Sequence, residues 1–261
     1  MVEAAEGGQR SLPELIAIQA CLTAEDSRAT FERYGPTFCP EAPRLRPDLD
    51  FRVLRISDCA IISAEVSPSG VMAIIAHCWS AVFNLMRKGI LCRGYITQGN
   101  VYHTDSDILG TGYMQAYKKE RDVTAFRKDL DETGTPFVEL DPLVTNYLAA
   151  DANDCVRMMA GRMIRREGET TVVFPFDRLT HEFVLGPNLD PQKERRSVAI
   201  LRKLIATIRE QVITNSDPND EKNLRKTQHY LDALKVQDDI CIKMDGDLTA
   251  TKPGSYWLSQ S

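Results

Sequence analysis

Two short apolar runs separated by only three residues constrain the fold of this chain more than any other feature. The runs FRVLRI at 51–56 and AIISAE at 60–65 closely flank Ser57 and Asp58. Because so short a connection between β-prone runs is typical of a hairpin, the sequence predicts two antiparallel strands with Asp58 at the turn. A carboxylate at such a turn can bind a metal ion, although Asp is also a favoured turn residue.

A long amphipathic helix is predicted directly after this hairpin. Ser67 is suited to cap the helix, and Pro68 is suited to its first turn. The apolar residues that follow recur at spacings of three and four, which places them on one helical face that ends near Lys88 and Gly89. They are Val71, Ile74, Ile75, Cys78, Val82, Leu85 and Met86.

The rest of the chain predicts an α+β fold. A capping box of Ser11 and Glu14 starts the first helix, and the prolines between 36 and 47 predict a loop. Strand pairs separated by helices favour a mainly antiparallel sheet with helices on one face. We expect strands at 90–101, 136–140 and 170–174, and helices at 24–34, 110–128, 146–166, from 190 and from 217.

These elements divide into four segments. We expect a mobile leader at 1–10, an α+β domain at 11–176, a helical C-terminal extension at 177–244, and a disordered tail at 245–261. The extension carries two amphipathic helices, whose apolar faces pack on the domain or on a partner. The tail shows no helical or strand periodicity, so we predict that it is not part of these two helices.

The amino-acid composition argues against some classes of function and indicates a location in the cell. The net charge of −5 over 261 residues argues against a protein that coats nucleic acid or an anionic membrane. No apolar run is long enough to span a bilayer, and the N-terminus lacks a secretory signal, so a cytoplasmic location is expected. The seven cysteines are scattered without a Cys-x-x-Cys pair, which favours reduced thiols over a disulfide framework or a zinc site.

Three clusters of polar residues have an ordinary explanation as well as a functional one. His103, Asp105 and Asp107 could hold a metal, but the surrounding sequence is a standard turn composition. Two basic clusters include interspersed acids, so solvated helix faces are favoured over contacts with a triphosphate or RNA. These clusters are Arg157, Arg162, Arg165 and Arg166, and Lys193, Arg195, Arg196, Arg202 and Lys203.

Four motifs in a fixed order resemble the class III nucleotidyl cyclases, and most closely the bacterial pyrimidine cyclases of the Pycsar antiphage system. The resemblance covers residues 51–141, about a third of the chain, and implies a ferredoxin-like cyclase sheet. It further implies a homodimer that converts a nucleoside triphosphate, with UTP or CTP favoured, into a 3′,5′-cyclic nucleotide and pyrophosphate. That product would activate a separate effector during phage infection. The motifs are ISDCAIIS at 56–63, LCRGYITQG at 91–99, ILGTGYMQAY at 108–117 and TPFVELD at 135–141.

The resemblance also implies the site residues. Asp58 matches a ligand of Mn²⁺ or Mg²⁺, and Lys118 matches a catalytic position that offsets phosphate charge. Arg93, Gly110 and Thr111 are the expected nucleotide-binding residues. A solvated Lys118 and an Arg93 paired to an acid are the corresponding ordinary interpretations.

The chain departs from the family at two points. Met114 stands where animal cyclases have an asparagine, and Lys118 where they have an arginine. No strand with an acid of the Asp-Ile-x-Gly kind precedes the hairpin. We therefore expect either a start upstream of Met1 or a relative that binds nucleotide without turnover. A purely scaffolding interaction protein is the third alternative.

Overall fold

The structure is a computed structural model that describes residues 11–23, 50–151, 154–175 and 190–250. Within these residues it is a mixed α+β fold, as predicted. The helices are α1 (Leu12–Thr23), α2 (Pro68–Met86), α3 (Thr111–Glu120), α4 (Pro142–Ala150), α5 (Asp154–Gly161), α6 (Pro191–Thr214) and α7 (Glu221–Ala250). The strands are β1 (Arg52–Ile56), β2 (Cys59–Ser63), β3 (Gly94–Ile96), β4 (Tyr102–His103), β5 (Ile108–Leu109), β6 (Val138–Leu140), β7 (Ile164–Glu167) and β8 (Thr170–Val173).

The largest sheet has four strands in the order β3-β6-β8-β7. The β3 and β6 strands are parallel, whereas β6 with β8 and β8 with β7 are antiparallel. The hairpins β1–β2 and β4–β5 form separate two-stranded sheets. Because β3 and β6 run in the same direction, their C-terminal ends meet at one edge of the sheet, and the candidate site lies beside that edge.

The predicted hairpin around Asp58 is confirmed. Arg52 pairs with Ser63 and Ile56 with Cys59, which leaves Ser57 and Asp58 as the connection. Ser57 has a φ of 55°, the left-handed conformation that two-residue hairpin turns require. Gln19 of α1 donates its Nε2–H to the carbonyl oxygen of Ser57 at 3.0 Å, so the first helix supports the turn.

Three helix caps predicted from the sequence are also confirmed. Ser67 Oγ accepts from the Gly70 N–H at 3.1 Å, and Pro68 occupies the first turn of α2. The capping box of α1 forms through Glu14, whose Oε2 accepts from the Ser11 N–H at 2.7 Å. The cap of α6 is Asp190, whose carboxylate accepts the backbone N–H groups of the first turn.

Several predicted boundaries are wrong, for local physical reasons. The helix expected at 146–166 is two helices, and α4 begins earlier because Asp141 caps it and Pro142 follows. Its expected last residues, 162–166, lie instead in or next to β7, which pairs with β8 through a turn at Gly168 with φ of 57°. The α3 helix ends at Glu120 rather than near 128, and the expected strand at 90–101 is reduced to Gly94–Ile96.

The last helix differs from its prediction at both ends. It starts at Glu221 because Asp220, rather than Asp217, accepts the N–H groups of Lys222 and Asn223. It then continues to Ala250, so residues 245–250 of the expected disordered tail are helical. The leader at 1–10, the helix at 24–34, the proline loop and the boundary at 176 lie outside the described residues.

The core lies on both faces of the four-stranded sheet. Successive strand residues point to opposite faces, and Val172 and Val173 of β8 accordingly belong to different clusters. Val173 packs with Ile75 of α2 and with α4 and α5, whereas Val172 packs with α6 and α7. The C-terminal helices therefore cover the second face of the sheet through Val198, Ile205, Tyr230 and Leu234.

The α2 helix is the one helix in the described residues that is long and apolar enough to cross a membrane by length and composition. Of its apolar window, 61% is buried inside the protein, including Ile75 and Met86. Most of this window is therefore buried within the protein, and the cytoplasmic location stays a prediction. Five described cysteines are free thiols, whereas Cys155 is disulfide-bonded, contrary to the expectation of reduced thiols.

We predict that Gly89 does not tolerate a side chain. It has a φ of +69°, and a Cβ there would lie 2.1 Å from the Gln211 carbonyl oxygen of α6. Gly89→Ala should lower the unfolding free energy by about 2 kcal/mol or more, because left-handed strain adds to a backbone collision. Urea denaturation measures this change.

Two other glycines serve as controls for this prediction. Gly168 has a φ of +57° with open space around it, so Gly168→Ala should cost about 1 kcal/mol from strain alone. Gly246 lies within α7, also in open space, and Gly246→Ala should stabilise the protein by about 0.5–1 kcal/mol. A cost at Gly89 no larger than that at Gly168 would contradict the close approach of α6.

We also predict an acid-sensitive link between α7 and the loop before β6. Glu132 and His229 are both buried, with His229 Nε2 lying 3.0 Å from Glu132 Oε1. Burial alone would raise the pKa of Glu132, but the Lys128 N–H, the His229 ring and the charge of Arg225 lower it below its usual value. A lowered carboxyl pKa contributes stability above about pH 4.5 that is lost as the pH falls through the folded-state value.

Glu132→Gln should therefore be less stable than the wild type near neutral pH, by about 1–3 kcal/mol. The difference should narrow as the pH falls from 6 toward 3, since the wild-type carboxylate becomes protonated. Denaturation curves across this range measure the difference. A difference that stays constant down to pH 3 would refute the link.

Candidate functional site

A surface groove along α3 brings together three of the predicted site residues. It has a volume of about 550 Å³. Gly110 and Thr111 line it at the start of the helix, and Lys118 lines it two turns later. The remaining lining residues are Met114, Gln115 and Lys119. Residues 110, 111, 114, 115, 118 and 119 recur at helical spacing, so the groove follows one face of α3.

Close backbone packing fixes the start of this helix. A Cβ on Gly99 would lie 2.6 Å from the Gly112 Cα, so only glycine allows this approach. Gly112 donates its N–H to the Asn100 carbonyl oxygen at 3.0 Å. Gly110 has a φ of +132° and, as the residue before the helix, contributes no side-chain cap. The N-terminal end of α3, which carries the positive end of the helix dipole, therefore has no capping side chain, and its residues Gly110 and Thr111 line the groove.

The far end of the groove is positively charged. Lys118 and Lys119 are both exposed, and no salt bridge joins either lysine to another described residue. Met114, with 46% of its surface exposed, lies between the lysines and the helix start. The groove thus offers an apolar surface flanked by a helix N-terminus on one side and two ammonium groups on the other.

A buried carboxylate positions the groove against the sheet. Asp141 follows β6 and is only 7% exposed. Its Oδ2 accepts hydrogen bonds from Tyr95 Oη at 3.1 Å, Thr97 Oγ1 at 3.2 Å and Gln115 Nε2 at 3.1 Å. Its Oδ1 accepts from the Leu143 N–H at 2.9 Å, which caps α4. One side chain therefore joins β3, β6, α3 and α4, and fixes the amide of Gln115 in the wall of the groove.

This cluster changes the acidity of Tyr95. Burial raises the pKa of the Tyr95 phenol, and the negative charge and hydrogen bond of Asp141 raise it further, with a smaller effect from Glu139. The phenol therefore stays protonated at neutral pH and acts as a donor to Asp141. In this state it stabilises the carboxylate rather than acting as a base.

Arg93 lies apart from the groove, next to the last residue of α3. Its Nε forms a salt bridge with Glu120 Oε1, and its Nη1 donates to the Gly134 carbonyl oxygen at 3.4 Å. Arg93 precedes β3 rather than lying within it. The structure therefore agrees with the alternative interpretation of Arg93, in which this arginine is paired with an acid. Lys226 of α7 lies nearby, and burial together with the charge of Arg93 lowers its pKa.

Asp58 lies exposed at the hairpin turn and does not line the groove. It is close to Cys59, as is Glu120. Burial raises the pKa of the Cys59 thiol, and the negative charges of Asp58 and Glu120 raise it further. The hairpin turn therefore lies near the Arg93–Glu120 pair at the C-terminal end of α3, while Gly110 and Thr111 lie at its N-terminal end.

The described residues do not form a metal centre of protein ligands. No group of three or more His, Cys, Asp or Glu side chains suited to a metal occurs in the parts of the chain that the structure describes. His103 Nδ1 lies 2.7 Å from Ser63 Oγ. Asp107 accepts from Ser106 Oγ at 2.6 Å and so stabilises the turn, whereas the exposed Asp105 lies 3.9 Å from Arg52 Nη1. Asp58 offers a single carboxylate.

Three residues of this region were not predicted as site residues. Asp141 had a visible signal, because an Asp-Pro pair after a strand predicts a helix cap, yet its contacts to Tyr95 and Thr97 depend on the parallel pairing of β3 with β6. Gln115 gave no signal, since an amide within a helix is ordinary. Glu120 stood within a run of charges, and its partner is 27 residues away in sequence.

We predict that Asp141→Asn destabilises the protein strongly. An asparagine amide group would place its N–H₂ or a weaker neutral acceptor against three donors, so the loss should be about 2–4 kcal/mol. Asp190→Asn is the matched control, because Asp190 only caps α6 and asparagine caps a helix about equally well. Denaturant unfolding compares the two variants, and equal effects would show that the cluster adds nothing beyond the cap.

Comparisons with known proteins found no match. No family model matches the chain, and neither a curated protein nor a solved structure is significantly similar to it. The resemblance to class III cyclases accordingly depends on the four motifs and their order.

Proposed function

We propose that the protein is a class III nucleotidyl cyclase-like protein that binds a nucleoside triphosphate in the α3 groove. The single observation that carries this proposal is that Gly110, Thr111 and Lys118, three of the five site residues implied by the motifs, line one groove. The volume of about 550 Å³ is within the range of small-molecule sites. The ferredoxin-like form of the cyclase sheet belongs to the same proposal.

The groove provides complementary chemistry for such a ligand. The N-terminal end of α3, which no side chain caps, favours phosphate oxygens because the helix dipole is positive there. Lys118 and Lys119 offset phosphate charge as point cations. The apolar surface of Met114 can pack against a base or a ribose.

The proposed reaction is the closure of a 3′,5′-cyclic ring on UTP or CTP. The ribose 3′ oxygen forms a bond to the α-phosphorus and loses its proton, and the bond from that phosphorus to the bridging oxygen breaks to release pyrophosphate. In this proposal Lys118 stabilises the charge on the phosphates. The product serves as a second messenger for a separate effector in antiphage defence, and the active form is a homodimer in the cytoplasm.

Mn²⁺ or Mg²⁺ is the cofactor that the family resemblance implies. Asp58 could supply one carboxylate oxygen, but the described residues place no second metal-binding acid with it. The donor set of the described residues therefore does not fit a two-metal centre.

That same observation favours a second candidate function. A relative that binds the triphosphate without cyclising it needs the α3 groove but not a pair of carboxylates. The groove is formed within the described residues, whereas the second acid is not. Binding without turnover is therefore the alternative within the family, and a purely scaffolding protein is the alternative outside it.

A test separates these three functions. Purified full-length protein is titrated with ATP, GTP, CTP and UTP in the presence of Mn²⁺, and pyrophosphate and cyclic product are measured in parallel. We expect UTP or CTP to bind most tightly. Lys118→Gln should weaken this binding about tenfold, since it removes a charge-assisted phosphate contact.

Two further variants sharpen the test. Lys243→Gln removes an exposed lysine of α7 outside the groove, and its affinity should equal that of the wild type. Asp58→Ala should abolish any cyclic product while leaving nucleotide affinity in the groove largely intact. Binding without product would support the second candidate, and no binding of any triphosphate would leave only the scaffold.

A further inference from the structure

A second groove lies between α6 and α7, remote in sequence from the α3 groove and sharing no lining residue with it. It has a volume of about 440 Å³. Three arginines and a single acid provide its charged groups, which makes it a cationic site. Its lining residues are Gln192, Arg195, Arg196, Val198, Ala199, Arg202 and Asp245.

Two of its arginines are held in place by acids of the facing helix. Arg195 donates Nε–H to Asp245 Oδ1 at 2.8 Å, and Arg202 donates Nε–H to Asp238 Oδ1 at 2.8 Å. The arginines are seven residues apart on α6, and the acids are seven apart on α7. Two helical turns, about 10 Å, therefore separate two matching contacts. Because each contact uses Nε, the Nη groups at the end of each side chain stay available to a ligand.

The third arginine increases the positive charge without a matching acid. No salt bridge joins Arg196 to another residue in the described part of the chain. Ala199 lies between Arg195 and Arg202 on the same face of α6, and its small side chain leaves room above the helix surface. The groove is thus an open space bordered by three guanidinium groups.

The cationic character of this groove is local. The whole chain carries a net charge of −5, so three arginines around one depression are not the consequence of a generally basic surface. Guanidinium groups match the geometry of phosphate oxygens through paired N–H donors. The size of the groove is that of a small-molecule site rather than of a long track for a polymer.

We propose that the α6–α7 groove binds a small phosphate-bearing anion, with Arg196 as its unpaired anchor and Arg195 and Arg202 as preoriented donors. The ligand is a compact polyanion with two or more phosphate groups, since the anchored arginines lie about two helical turns apart. The site is independent of the proposed nucleotide groove.

The proposal is tested with inorganic triphosphate as the probe and the full-length chain as the protein. Calorimetric titrations are made in a Lys118→Gln background, which weakens any binding in the α3 groove about tenfold, and the variants of the α6–α7 groove are compared within this background. We expect saturable binding with one site for each chain. Arg196→Gln should weaken it about tenfold, and Ala199→Glu, which adds a carboxylate to the middle of an exposed helix face, should abolish it.

Arg209→Gln is the matched control, because Arg209 is exposed on the same helix but outside the groove. Its affinity for triphosphate should equal that of the parent. An equal loss in Arg209→Gln would overturn the proposal, as would the absence of saturable binding in the parent protein.

A final arm replaces triphosphate by a single-stranded RNA of about 20 nucleotides. Small-anion binding predicts that RNA binds no more tightly than triphosphate. If RNA alone binds, with a steep dependence on salt and a loss in Arg196→Gln, the groove is part of a nucleic-acid surface and the small-anion proposal is wrong. Failure of nucleotide binding in the α3 groove would not affect this result, because the parent already carries Lys118→Gln.

Discussion

The buried carboxylate of Asp141 is the interaction on which the arrangement of the sheet edge and the α3 groove depends. Burying a charge is costly unless hydrogen bonds compensate for lost water, and this carboxylate accepts four. Three donors come from β3, from the residue that follows it, and from α3, and the fourth is the first turn of α4. Each contact is useful only while the others are in place, so the four elements are coupled. The wall of the groove at Gln115 is fixed as a consequence.

Close packing between two glycines also holds α3 in position. The contact between Gly99 and Gly112 allows the loop after β3 to lie against the first turn of α3, with backbone separations that a side chain would prevent. Asp141 holds the same helix one turn later through Gln115. Two contacts at different heights determine both the position and the direction of α3. The groove residues are therefore carried by a helix fixed to the sheet, as a binding site requires.

The parts of this structure that the sequence predicts are those whose signals are local. The hairpin at Asp58, the α2 helix with its Ser67 cap and the α6 helix with its Asp190 cap each depend on residues within a few positions of one another. The other features depend on contacts between residues that are distant in sequence. Residues 164–167 have no strand pattern of their own and form β7 because β8 is beside them. Arg93 pairs with Glu120, which lies 27 residues away in sequence, so no local sequence pattern predicts this contact.

The distribution of charge along α3 bears on how a triphosphate and a cation could share this surface. Positive character lies at the uncapped N-terminal end and at Lys118 and Lys119, whereas Glu120 and Asp58 add negative charge around Cys59 beyond them. Arg93 pairs with Glu120 directly, and Asp58 is exposed at the hairpin turn. In the proposed function, the phosphates of a triphosphate would lie along the positively charged part of the groove. Asp58 would then lie outside the groove, on the side of the hairpin, so any role in turnover would require the hairpin and the ligand to approach each other.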